Sequence, residues 1–515
     1  MSNTLKKIYG SAVFGVDAMT ITVEVNVGQG IGYHLVGLPD NAIKESNYRI
    51  AAALQNVGFR IPGKKITINM APADMRKEGS AYDLTLAMGI LSASGQIQAP
   101  DIERYLIMGE LSLDGSLQPI KGALPIAVRA RQEGFEGFIL PAQNANEAAI
   151  VNDLKIYGVS SITEVIDFFN EGKPLQPTII DTRKLFFEQH AKTDLDFADV
   201  KGQEGIKRCM EIAAAGGHNI ILIGPPGSGK TMLAKRLPSI LPPMTLAEAL
   251  ETTKIHSVVG RLKAEDSLLA QRPFRAPHHA ISDVALVGGG SYPQPGEISL
   301  AHNGVLFLDE LPEFKRTVLE VMRQPLEDRE VTISRAKFTV TYPSSFMLVA
   351  SMNPSPSGYF YDPSAPQTTS MADMQRYMNK ISGPLLDRID IHIEVTPVPF
   401  HQLTEKRKGE PSEVIRARVI AARHVQQQRF ESFKGVYYNA QMSSKQIRQF
   451  CLLDNHSKEL LKSAMERLNL SARAYDRILK VGRTIADLEA EPQILSRHIA
   501  EAIQYRSLDR EGWLG

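Results

Sequence analysis

Eight consecutive residues, Gly224-Pro225-Pro226-Gly227-Ser228-Gly229-Lys230-Thr231, have the types and spacing that phosphate chemistry needs. Glycines let successive backbone N–H groups turn inward around an anion, and a following helix N-terminus adds partial positive charge. In such a loop Lys230 pairs with the β/γ-phosphates and the Thr231 hydroxyl holds Mg²⁺. The chemistry works only if a strand delivers the loop and a helix leaves it. The apolar run Ile220-Ile221-Leu222-Ile223 before it and Met232-Leu233-Ala234-Lys235-Arg236-Leu237 after it predict that order. The expectation is a nucleoside triphosphatase.

Three more segments carry groups suited to the same site. Gly304-Val305-Leu306-Phe307-Leu308-Asp309-Glu310 is an apolar run ending in two carboxylates. A central parallel strand buried on both faces would place them at its carboxyl edge, Asp309 for Mg²⁺ and Glu310 to deprotonate the attacking water. Phe346-Met347-Leu348-Val349-Ala350-Ser351-Met352-Asn353 reads as a second buried strand. Asn353 at its end can bond the water and γ-phosphate without adding charge, although an Asn before Pro354 also suits a strand-to-turn junction. In Leu385-Leu386-Asp387-Arg388-Ile389-Asp390, Arg388 is suited to complete a neighbouring subunit's site, the rival being a surface pair with Asp387 or Asp390. Arg473 opens a helix capped by Ser471 and could reach phosphates from a lid, or be an ordinary exposed arginine.

The rest of the chain must position these groups. Its 515 residues exceed one core and predict three or four units. With 58 Lys+Arg against 57 Asp+Glu there is no bulk electrostatic signal, so nucleic-acid contacts must come from local clustering. The two cysteines, Cys209 and Cys451, lack ligand-like spacing, which fits a reducing, cytoplasmic setting. No run approaches 18 apolar residues and no apolar signal core opens the chain, which predicts neither a membrane span nor secretion.

The N-terminal third alternates strands and helices. A hairpin over 11–37, with Val23, Val25 and Val27 on one face, precedes a helix from Asp40 to Asn56 stopped by Gly58. Strands over 65–70, 105–111 and 137–140 and helices over 80–94 and 124–133 follow, an α/β domain. Lys77-Glu78-Gly79-Ser80-Ala81 and the stretch from Gly109 to Gly122 resemble the Lon-type protease domain. The catalytic serine position of that family falls on Ala81 and its lysine position on Leu124, so the dyad is missing. Ser80 and Lys121 lie nearby, but a serine nucleophile needs its base within hydrogen-bond reach.

Longer motifs extend the resemblance over nearly the whole chain: Arg272-Pro273-Phe274-Arg275-Ala276-Pro277-His278-His279, Pro295-Gly296-Glu297-Ile298-Ser299-Leu300-Ala301-His302, Val331-Thr332-Ile333-Ser334-Arg335-Ala336 and Ser382 to Asp390. These look like the YifB/ComM family of magnesium-chelatase-like AAA+ ATPases with a Lon-like N-terminal domain. The resemblance implies a Lon-like α/β domain over 1–170, a linker over 171–195, an αβα P-loop AAA+ core over 196–400 and a helical lid over 401–515. It also implies ATP and Mg²⁺, bound between subunits of a homo-oligomeric ring, a hexamer, with Lys230, Thr231, Asp309, Glu310 and Asn353 acting in cis and Arg388 in trans. The segment before the phosphate loop lies against adenine in AAA+ ATPases, which makes Val200 and Gly202 candidate base contacts, with plain strand-entry packing as the rival. ComM-type members are DNA helicases that promote branch migration in natural transformation, which implies DNA and recombination proteins as partners. Two other readings stay open on fold analogy, a magnesium-chelatase motor subunit and a protein remodeller using the N-terminal domain as adaptor.

Two features qualify the resemblance. The family carries Asn-Pro-Cys-Pro-Cys-Gly-Tyr, whereas this chain has Asn353-Pro354-Ser355-Pro356-Ser357-Gly358-Tyr359. Hydroxyls do not replace thiolates at zinc, so no structural zinc is expected, and 355–371 reads as a mobile loop. Residues 329–342 alternate at period two and turn near Arg335 to Lys337, a hairpin whose two basic residues are candidate DNA-phosphate contacts. The stretch from Ser282 to Gly296 is a second flexible candidate. His278 and His279, as neighbours in an extended chain, are expected to face opposite ways and not to share a metal.

Overall fold

The computed structural model describes residues 5–190, 195–262, 267–290, 293–335, 338–356, 371–399, 409–506 and 508. The chain forms two compact units, Met1–Gln189 with Thr245–Ala270, and His190–Met244 with Gln271–Gly515. The class is mixed α/β, with a parallel sheet in the second unit and a helical C-terminal region.

In the first unit the strands are β1 (Leu5–Phe14), β2 (Asp17–Gly28), β3 (Gly32–Val36), β4 (Lys65–Ala71), β5 (Tyr105–Ile107), β6 (Glu110–Leu111), β7 (Leu117–Gln118), β8 (Gly137–Pro141) and β9 (Lys155–Val159). Seven of them form a sheet in the order β3-β4-β2-β1-β5-β8-β9, and β6 and β7 make a small ribbon. The alternation of β2 works as expected: Val23, Val25 and Val27 are buried, whereas Asn26 is exposed. Asp40 caps the helix Asn41–Asn56 by accepting from Ile43 N at 2.8 Å. The wholly buried helix Asp83–Ala93 lies so close to the sheet that a Cβ on Gly89 would sit 2.7 Å from Val25 Cγ2.

The strand expected over 105–111 is two pieces. Gly109 spends its N–H on Ala81 O (2.8 Å) and its carbonyl on Leu84 N (3.0 Å), which removes both from the ladder. At the Lon-like positions Ala81 carries no nucleophile, and Leu124 N donates to the buried Glu147 carboxylate at 2.9 Å. The two possible substitutes have other partners. Ser80 donates its hydroxyl to Glu110, and Lys121 lays its methylenes beside Gly260.

Gly260 lies far along the chain, after the phosphate loop. The segment Thr245–Ala270 leaves the nucleotide-binding stretch and joins the first unit as the helix Leu246–Val259, opened by a Thr245/Glu248 capping box and closed by Gly260 in the left-handed region. Ser257 donates its hydroxyl to Glu147 and its carbonyl accepts from Gly122 N at 3.0 Å. The stretch 171–195, read as linker, holds the helix Thr182–His190.

The second unit contains β10 (Ile220–Ile223), β11 (Phe274–Arg275), β12 (Gly288–Gly289), β13 (Gln294–Pro295), β14 (Val305–Leu308), β15 (Glu330–Arg335), β16 (Phe338–Pro343), β17 (Met347–Met352) and β18 (Ile391–Glu394). A five-stranded parallel sheet runs β11-β14-β17-β10-β18. β10, β14 and β17 are buried throughout, as their unbroken apolar runs require. β12 with β13 and β15 with β16 form antiparallel ribbons outside that sheet. Helices Ser412–Phe430, Ser444–Phe450, Asn455–Arg467, Ala472–Leu488 and Ser496–Gln504 complete the unit. Their apolar faces share one core with the sheet, from Val200 and Leu222 through Val419 to Ile485 and Ile499. No helix among the described residues is long and apolar enough to cross a membrane.

Candidate nucleotide site

The site forms where β10, β14 and β17 end side by side, because in a parallel sheet the carboxyl ends share one edge. β10 leads into the glycine loop, and Gly229, at φ 93°, caps the helix Lys230–Ile240. Gly224 permits a close approach: a Cβ there would lie 2.3 Å from Val395 O. A Cβ on Gly227 would meet nothing within 4 Å, so the loop is open on that side. The Ser228 hydroxyl is buried without a protein partner.

Lys230 turns back into the loop. Its ammonium donates to Gly224 O at 2.6 Å, Pro225 O at 3.0 Å and Asn353 Oδ1 at 3.3 Å. Burial lowers its pKa, against the pull of Asp309 and Glu310. Thr231 Oγ1 donates to Asp309 Oδ2 at 2.9 Å, and Ser351 donates to the other oxygen, Oδ1. Ser351 also accepts from Glu310 N at 3.3 Å, so one hydroxyl ties β17 to both acids after β14.

Glu310 has φ 55° and ψ 51°, the left-handed region that side chains other than glycine rarely adopt, and its side chain is 53 % exposed. The His279 imidazole lies 3.5 Å from Glu310 Oε2, with the Phe314 ring edge-on to it. The expectation that His278 and His279 diverge is wrong: their ring centroids are 4.1 Å apart, because this stretch follows β11 without strand geometry. Tyr377 donates to Asn353 O at 3.2 Å, and burial pushes its phenol up to about 12. Gln203 donates to Ser228 O at 3.0 Å and Thr396 O at 3.1 Å, bracing the loop against the end of β18.

The remaining candidates stand apart from this cluster. Val200 is fully buried in the core, and Gly202, at φ 61°, turns the chain toward Gln203. Arg388 pairs with neither Asp387 nor Asp390; it donates to Pro384 O at 2.5 Å and to Glu327. Arg473 caps Asp387 at 2.5 Å and its side chain is 69 % exposed. Arg335 ends β15 and donates to Gly290 O at 3.3 Å, whereas Lys337 lies outside the described residues, as do 357–370 of the serine-bearing loop. Ser351, Tyr377, Gln203 and His279 were not singled out for this site from sequence. Only Ser351 left a trace there, as a polar residue in an otherwise apolar strand.

The donor set suits a nucleoside triphosphate with Mg²⁺: an open glycine cradle, an orphaned buried hydroxyl, a lysine held by weak carbonyl partners, and a Thr–Asp pair of hard oxygen ligands. Fold and site together define a magnesium-chelatase-like AAA+ ATPase. Family models described as magnesium chelatase, subunit ChlI, match residues 196–403, with subunit ChlI of Mg-chelatase at 23–144 and the ChlI C-terminal part at 409–506. The chain is 45 % identical to the competence protein ComM of Haemophilus influenzae, over 98 % of each chain. It is 43 % identical to the uncharacterized protein YifB of Escherichia coli, again over 98 % of each. Lon protease 2 of Bacillus subtilis is 31 % identical over 28 % of this chain and 27 % of its own. The chain belongs to the YifB/ComM family.

Proposed function

We propose that this protein is an ATP-driven motor that assembles as a hexameric ring and acts on DNA, promoting branch migration of recombination intermediates. The observation that carries the reading is the convergence of Lys230, Thr231, Asp309, Glu310 and Asn353 at one sheet edge, while Arg388 bonds elsewhere. Lys230 would exchange the Gly224 and Pro225 carbonyls for phosphate oxygens, and Thr231 and Asp309 would hold Mg²⁺. Bound MgATP supplies the transferable phosphoryl group and the charge neutralisation around it. Glu310 takes the proton of the attacking water, Asn353 orients that water, and Arg388 serves the adjacent subunit's nucleotide. Gly202 flanks the base, Val200 stays in the core, and Arg473 responds from the helical region. The DNA half of the reading draws on the β15–β16 hairpin with Arg335 and, beyond the described residues, Lys337, and on the likeness to the Haemophilus relative, a competence protein.

The test is strand exchange on a labelled four-way junction with ATP. Wild-type protein should dissociate the junction; Glu310→Gln should bind ATP without hydrolysing it and leave the junction intact, and Lys230→Ala should lose nucleotide turnover. Unchanged turnover in either variant would falsify the site assignment. ATPase activity indifferent to DNA, with intact junctions, would instead favour a chelatase-type or remodelling motor.

A further inference from the structure

Arg388, the residue read as completing a neighbour's site, is not free to do so. Its two terminal nitrogens are committed within its own chain, to Pro384 O at 2.5 Å and to the Glu327 carboxylate, and its Nε is buried without a partner. The arginine side chain is only 13 % exposed, whereas Glu327 is 60 % exposed, so the pair is an accessible acid lying over a sheltered arginine.

Glu327 sits in the short helix Arg323–Asp328, which passes through Arg329, at φ 59°, directly into β15. These parts line a cavity of about 500 Å³, bordered among others by Glu320, Arg323, Glu327, Val331, Thr332 and Arg388. Arg388, its carboxylate partner and the root of the basic hairpin therefore border one space in which the helix can shift. Arg323 in the same wall is occupied by Glu320 at 3.0 Å, which leaves Glu327 as the acid facing Arg388.

We infer that Glu327 is a positioning residue, a latch that holds Arg388 in cis until a pull on the β15–β16 hairpin withdraws it. The inference rests on the reading of Arg388 as a trans-acting arginine. Polyanion binding at the hairpin moves β15, β15 moves the helix that carries Glu327, and the freed guanidinium turns to the adjacent subunit's phosphates, where a bidentate fork is worth more than its exposed cis partner. Turnover is thereby tied to occupation of the hairpin.

The experiment uses the full chain with Glu327→Gln and Glu327→Ala, both at a position that is 60 % exposed. Two quantities are read: the protein concentration at half assembly with a non-hydrolysable ATP analogue, by sedimentation velocity, and DNA-free ATPase turnover. Loss of a part-exposed ion pair should lower the assembly midpoint and raise DNA-free turnover, each about two- to fivefold. The stimulation by added DNA should shrink correspondingly. A structural defect would move both the other way, so an assembly midpoint at or above the wild-type value, or DNA-free turnover at or below it, in both variants overturns the latch. Arg388→Ala separates the two layers. If it hydrolyses ATP at the wild-type rate, the trans assignment fails and the latch with it; if it is inactive while Glu327→Gln matches wild type, only the latch fails.

Discussion

Ser351 shows how much of a site can rest on a residue with no chemistry of its own. Its hydroxyl is bonded on one side to Asp309 and on the other to the backbone of Glu310, the residue held in the left-handed region. Removing it frees Asp309 to rotate and releases one restraint on Glu310. Ser351→Ala is expected to lower kcat about tenfold, the cost of a misaimed catalytic carboxylate, while nucleotide affinity changes by less than about threefold. Steady-state turnover beside fluorescent-nucleotide binding checks this, and equal losses in both would assign Ser351 to binding instead. The residues that sequence alone picked out were legible because Asp309, Glu310 and Asn353 end apolar runs suited to buried strands, and Lys230 and Thr231 close the glycine loop that follows a third such run. Glu327 and Tyr377 were not, because their roles come from packing between segments far apart in the chain, and no local pattern encodes it.

At the scale of elements, the loop that ends in Asp390 is fastened to the helix Ala472–Leu488. Arg473 holds Asp387, Arg477 lies 2.9 Å from Asp390, and His218 lies 3.1 Å from Asp390 and 2.8 Å from Thr484. The Asp390 carboxyl is fully buried, yet Arg477 and His218 hold it well below the usual carboxylate range. Lys480, one turn beyond Arg477, donates to Ala440 O at 2.9 Å, and burial pushes its pKa down to about 8. An unfolded lysine keeps its proton to about 10.4, so between pH 8 and that value the unfolded state binds more protons and stability rises with pH. Lys480→Met removes that titration. The stability difference, wild type minus variant, should grow by ~2–3 kcal/mol from pH 8 to pH 10.5, read from denaturant unfolding at each pH. A flat difference would mean that the ammonium is hydrated. The helix Ala472–Leu488 itself was legible from its Ser471 cap, but its pairing with the 383–390 loop was not, since Asp387, Arg388 and Asp390 are near-equivalent in sequence and only burial tells them apart.

For the whole molecule, the chain order and the folded units disagree, and the disagreement has a physical anchor. Five residues after the phosphate-loop helix Lys230–Ile240 ends, the chain is already part of the first unit, and it returns at Gln271. The alternation of strands and helices gave no sign of this, because the helix Leu246–Val259 carries no apolar stripe that marks a partner, and its docking rests on a buried acid 110 positions away. That acid, Glu147, accepts from Leu124 N and Ser257, and burial raises its pKa above the usual range. Both donors reach the same oxygen, Oε1, so an uncharged carbonyl oxygen can serve them as a carboxylate does. Glu147→Gln keeps an acceptor for both donors and should leave the helix protected, whereas Glu147→Ala strands the Leu124 N–H and the Ser257 hydroxyl in an apolar setting, at a cost of about 2–4 kcal/mol. Hydrogen exchange resolves the two. In Glu147→Ala, amides of 246–259 should exchange at least about tenfold faster while those of Ile220–Ile223 keep their protection, because local opening need not spread beyond its own cooperative unit. Acceleration in both segments would mean that the two units unfold as one. No acceleration in either would mean that apolar packing against the helix Ala123–Gln132 holds the segment without Glu147.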